Sequence, residues 1–129
     1  MIAGRAQAPG AVERLMASTG SSIDAMYLDE YRALFSSPAH VHATLGMMAR
    51  WDLWTLQERL GELTSPLTFF YGERDLTVPP HQAGATAARV PRGDARSLGA
   101  LGHLAHEEAA SDVIGPLRDA LCKRTAPPT

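Results

Sequence analysis

Two polar residues in this chain stand where a parallel sheet does chemistry. Asp75 closes the run Pro66-Leu-Thr-Phe-Phe-Tyr-Gly-Glu-Arg-Asp75, and His103 closes Ala95-Arg-Ser-Leu-Gly-Ala-Leu-Gly-His103. Each run reads as a buried strand that stops at a glycine-containing turn and delivers one polar side chain just past its carboxyl end. In open α/β sheets that rim is where ligands bind and react. The 28 residues from Asp75 to His103 are about what a strand, a crossover helix and a second parallel strand consume. A single crossover then makes the two residues neighbours. A carboxylate beside an imidazole is the orienting half of a nucleophilic triad: the acid fixes the tautomer and stabilises the imidazolium formed when the ring takes a proton.

The third member is missing. No serine sits in a G-x-S-x-G elbow upstream of Asp75; Ser18, Ser21, Ser22, Ser36, Ser37 and Ser65 all fall in segments that read as helix ends or loops. Thr19 has no strand before it, and Cys122 lies in the last helix, downstream of both partners. The chain therefore reads as the rear portion of an enzyme. Asp75 also has a plainer reading, as a capping or turn residue in Glu-Arg-Asp-Leu-Thr, but its place at a strand end and its distance from His103 favour the acid.

Other polar clusters carry less. His103-Leu-Ala-His106-Glu107 spaces two histidines three apart beside a carboxylate, but the order is not H-E-x-x-H and Gly102 argues for a loop. Glu107 and Glu108 fit better at the N-terminus of the last helix, where negative charge is favourable. His40 and His42, two apart, point in different directions on a helix. No metal site and no cofactor are expected. Met47, Met48 and Trp51, with Trp54, would either line an apolar substrate pocket, since methionine adapts to irregular shapes, or pack a helical segment onto a core.

The elements that must position these residues change character at Pro66. Before it the pattern is helical. Ile23, Met26, Tyr27, Tyr31, Leu34 and Phe35 give one apolar face to a helix ending near Ser36-Ser37, and Ser37-Pro38 starts another lined by Val41, Leu45, Met48 and Ala49. Asp52 caps a short helix from Leu53 to Leu60, which Gly61 would close in a left-handed conformation. From Pro66 the order is strand, helix, strand, helix: Leu67 to Tyr71, Pro80 to Arg89, Ala95 to Leu98 and Ser111 to Lys123, with Pro116 as a kink. Two parallel strands alone leave unpaired backbone edges, so either another segment completes the sheet or the chain aggregates.

The 129 residues are 45% hydrophobic and 20% charged, an ordinary globular composition. A net charge of −2 gives neither a stripe for nucleic acid nor a polybasic membrane patch. The single cysteine fits a reducing compartment, the cytoplasm by default, and neither an export signal nor a membrane span is legible.

From Trp51 onward the chain resembles the C-terminal part of an α/β-hydrolase-fold protein, on Pro66 to Asp75, Val78-Pro-Pro80, Val90-Pro91 and Leu101-Gly-His103 before a terminal helix. A closer resemblance runs through Thr19-Gly-Ser-Ser-Ile-Asp24, Ser37-Pro-Ala-His40, Leu45-Gly-Met-Met-Ala-Arg-Trp-Asp-Leu53 and Gly102-His-Leu-Ala-His-Glu-Glu108. These are similar to the hydrolase-like magnesium-chelatase accessory proteins of bacteriochlorophyll biosynthesis. The resemblance implies an α/β fold with a helical lid over residues 1–50 and a core over 51–124 holding the last two parallel strands; the tail over 125–129 is expected to be disordered, because its prolines cannot extend a helix and nothing apolar anchors it. It implies Asp75 as triad acid and His103 as base for an ester or related small carbonyl substrate. The early strands, oxyanion loop and nucleophile elbow of that family are not here, so a missing N-terminal half would have to supply them and activity of the chain alone is not expected. It equally implies a non-catalytic alternative: an accessory or tetrapyrrole-intermediate binding protein associated with magnesium chelatase, since fold does not fix function.

Overall fold

The computed structural model describes residues 8–125. Four helices come first: α1 (Ala11–Ser18), α2 (Leu28–Ser36), α3 (Pro38–Met48) and α4 (Leu53–Arg59). Then β1 (Leu67–Tyr71), α5 (His81–Ala87) and β2 (Gly93–Ser97) form a strand, helix, strand unit, followed by the short turn α6 (Ala105–Glu108) and the long α7 (Ala110–Thr125). The strands pair in parallel with Leu67 opposite Gly93 and Tyr71 opposite Ser97, and α5 packs across both. The architecture is α/β at this level: helices with a small parallel sheet.

Local chemistry explains most boundaries. Ser37 caps α3 by accepting the His40 amide, with Pro38 in the first turn. Asp52 caps α4 twice over, taking the Thr55 amide at 3.0 Å and the Thr55 hydroxyl at 2.6 Å. The sequence expectation of a helix from Ile23 needs correction, because Asp24 accepts the Met26 amide at 3.0 Å and forms a 3-10 turn over Ala25–Tyr27, so α2 begins at Leu28. The left-handed ending expected at Gly61 is also absent; that conformation occurs only at Gly10, Gly20 and Gly99 among the described residues. The chain instead tightens into a 3-10 turn over Leu60–Glu62. Arg89, arriving from the end of α5, donates to the Gln57 carbonyl at 2.6 Å and satisfies an acceptor that a left-handed cap would otherwise serve.

The last strand is shifted from Ala95 to Leu98 to Gly93–Ser97, although the Leu98 amide still reaches the Tyr71 carbonyl at 2.8 Å. Glu107 and Glu108 end the separate turn α6 rather than opening the final helix. That helix contains Pro116 and runs on through Thr125, which was expected to begin the tail; residues 126–129 lie outside the described residues.

The core is thin. Val12, Met16, Ala87, Val90, Ala105 and Ala120 are the buried apolar positions among the described residues. Both strands, expected to be buried, are only partly so, because α5 covers them while no third strand pairs with either edge among the described residues. The accessible surface of 9237 Å² exceeds the roughly 6,600 Å² expected of a compact monomer of this mass.

Candidate functional site

The two loops that follow β1 and β2 are laced together by backbone bonds. The Glu73 amide donates to the Gly99 carbonyl at 2.8 Å and the Arg74 amide to that of Leu101 at 2.9 Å. Side chains add to this: Ser97 donates its hydroxyl to Glu73 at 2.7 Å while accepting the Gly99 amide at 2.9 Å. Gly72 allows the approach, since a Cβ there would meet the Leu101 carbonyl oxygen at 2.1 Å.

Asp75 and His103 emerge from this double loop side by side. His103 Nδ1 lies 2.9 Å from Asp75 Oδ2. The other carboxylate oxygen, Oδ1, accepts the amides of Thr77 and Val78 at 2.8 Å each, so the carboxylate is aimed by its own loop before the ring meets it. The Asp75 side chain is 9% exposed and that of His103 37%. Burial alone would raise the Asp75 pKa, but the Val78 amide, the His103 ring and the Thr77 amide outweigh it and hold the carboxyl below its ordinary value. An ionised acid facing Nδ1 favours the tautomer with the proton on Nδ1. Nε2 is then the nitrogen left to take a proton. The pair opens on a cavity of about 350 Å³ whose walls include Phe69, Tyr71, Val78, Pro79, Leu98 and Val113.

Met47, Met48 and Trp51 do not line that cavity. They lie at the end of α3 and in the link to α4, with 52%, 46% and 53% of their surface exposed. His106 turns to Glu107 at 3.4 Å, and Glu107 also accepts the Tyr31 hydroxyl from α2. Among the described residues no group of three or more His, Cys, Asp or Glu side chains is disposed to hold a metal ion, and no helix is long and apolar enough to cross a membrane.

Sequence reasoning missed the residues around the pair. The Thr19 carbonyl accepts the amides of both Leu76, at 3.3 Å, and His103, at 3.1 Å, and Ser21 Oγ accepts the Leu104 amide at 2.8 Å. Glu108, its side chain 7% exposed, binds Arg74 at 2.6 Å and the Gly102 amide at 2.8 Å. A Thr-Gly-Ser run after a helix signals a turn, but nothing in the sequence says which loop it meets.

The chain is 36% identical over 108 residues to the magnesium-chelatase 30 kDa subunit of Rhodobacter capsulatus, an alignment that spans 84% of this chain and 38% of that protein. The chain thus spans well under half of that relative's length. No family model matches it.

Proposed function

Taking the likeness to a magnesium-chelatase subunit as premise, we propose that this chain serves magnesium chelatase in bacteriochlorophyll biosynthesis, as an accessory or tetrapyrrole-intermediate binding protein. The observation that carries this reading is the 36% identity over most of the chain. In it, the exposed Met47, Met48 and Trp51 offer an apolar and aromatic surface suited to a flat macrocycle.

The Asp75 and His103 geometry favours a second reading on the same chain: the C-terminal portion of a hydrolase-type fold, with residues 1–50 as lid and 51–124 as core, lending acid and base to a nucleophile held elsewhere. His103 would draw the proton from that nucleophile through Nε2 as it attacked the ester carbonyl, and hand it to the departing alcohol while Asp75 held the ring; a water activated by the same ring would then release the acyl group as the carboxylic acid.

One substitution separates the two. In a protein completed by an N-terminal half that supplies the nucleophile, binding of the chelatase subunits and of a magnesium tetrapyrrole is measured by spectral titration, alongside turnover of a small ester. The accessory reading expects His103→Ala to leave both binding events unchanged, with no ester turnover in either form. Turnover in the parent that falls by about 10³-fold or more in the variant would make the hydrolase reading the right one. Failure to bind either the chelatase or the tetrapyrrole would remove the accessory reading.

A further inference from the structure

We propose that the Thr19-Gly20-Ser21 turn is a clamp that sets the spacing of Asp75 and His103, so that residues just after the first helix act as positioning residues for a pair more than fifty positions downstream. This rests on the acid–imidazole pairing described above and not on either functional reading.

The turn touches both loops at once. A carbonyl oxygen has two lone pairs, and Thr19 spends both on the site: one accepts the amide of Leu76, directly after the acid, and the other accepts the amide of His103 itself. The two loops are therefore referenced to a single atom. Ser21 Oγ holds the next amide along, that of Leu104. The turn is itself anchored, because Thr19 Oγ1 donates to the Met16 carbonyl at 2.6 Å and accepts the Ser21 amide at 3.3 Å, and Met16 is buried on α1.

Contact is backbone against backbone. Gly20 has φ +77°, and a Cβ on it would meet the Arg74 carbonyl oxygen at 1.9 Å; a Cβ on Gly102 would meet the Ser21 nitrogen at 2.3 Å. Two glycines interleave so that the turn can seat between the residue before Asp75 and the residue before His103. A surface loop with no demand on its position would not need both. Glu108 also joins Arg74 to Gly102, so the acid and base loops are tied together a second time.

The test is an NMR measurement on the full chain with labelled histidine and aspartate. The parent is expected to show a hydrogen-bonded His103 Nδ1–H proton and an Asp75 carboxyl that titrates below its ordinary range. Ser21→Ala and Gly20→Ala are expected to weaken or abolish that proton signal, raise the Asp75 titration midpoint and speed hydrogen exchange at the Leu76 and His103 amides. Ser21→Thr, which keeps the hydroxyl, is expected to restore the parent pattern, and Ser22→Ala, at an exposed position beside the clamp, to change nothing. Folded Ser21→Ala and Gly20→Ala chains that lose thermal stability while keeping the proton signal and the titration would overturn the clamp and leave the pair intact. Should Gly20→Ala not fold, Ser21→Ala with its threonine rescue decides alone. Absence of the Nδ1–H signal in the parent would overturn the pair itself, and the clamp with it.

Discussion

Asp75 is held by more than its histidine. Two amides of its own loop fix one oxygen and the imidazole meets the other, so the carboxylate is oriented even when the ring is removed. Because its folded pKa lies below the ordinary 3.8, the stability it contributes is fully present above that value and is lost as pH falls through the depressed folded value. Asp75→Asn is therefore expected to cost about 1–2 kcal/mol at neutral pH, the scale of hydrogen bonds to a charged acceptor, with the gap to the parent closing towards pH 3 or below. Urea unfolding at several pH values measures this; a gap independent of pH would contradict it. Asp75 and His103 were legible in the sequence because strand ends and turn glycines advertise themselves within a few residues. Thr19, Ser21 and Glu108 were not, since their partners lie across the fold and a lone carbonyl has no sequence signature.

At the scale of elements, capping residues were readable and covering elements were not. Ser37-Pro38 and Asp52 start α3 and α4 where their side chains dictate, whereas the end of α4 depends on Arg89 reaching in from α5. One contact between elements is open to a direct check. Tyr31 on α2 donates to Glu107 on α6; burial, and then the neighbouring carboxylate, push the phenol up to about 12 from its ordinary 10.0. A raised folded pKa means that this stabilisation is complete below the ordinary value and disappears as pH rises through about 12. Tyr31→Phe is expected to cost about 1 kcal/mol near neutrality, the low end for a charge-assisted bond because solvent reaches the pair. It should also remove one late-titrating phenol from an absorbance titration. Titration of every tyrosine near its ordinary value would count against the contact.

For the molecule as a whole, the sequence predicts that two strands need neighbours, and among the described residues both are edges with a large apolar surface uncovered. Trp54 is 76% exposed, and Leu53, Leu56, Met47 and Met48 lie near it in sequence, also exposed. Surfaces of this kind associate. The chain alone at micromolar concentration is expected to sediment as more than a monomer and to enhance the fluorescence of an apolar dye; a monodisperse monomer that does neither would mean that the surface is tolerated in water. The sequence lines α3 with Val41, Leu45, Met48 and Ala49, yet no residue of α3 is buried here. The lacing of the two loops has a final consequence. Acid, base and their braces are held by bonds within the described chain, independent of the open sheet edge. A polypeptide that paired with that edge would meet a rim already ordered by these bonds.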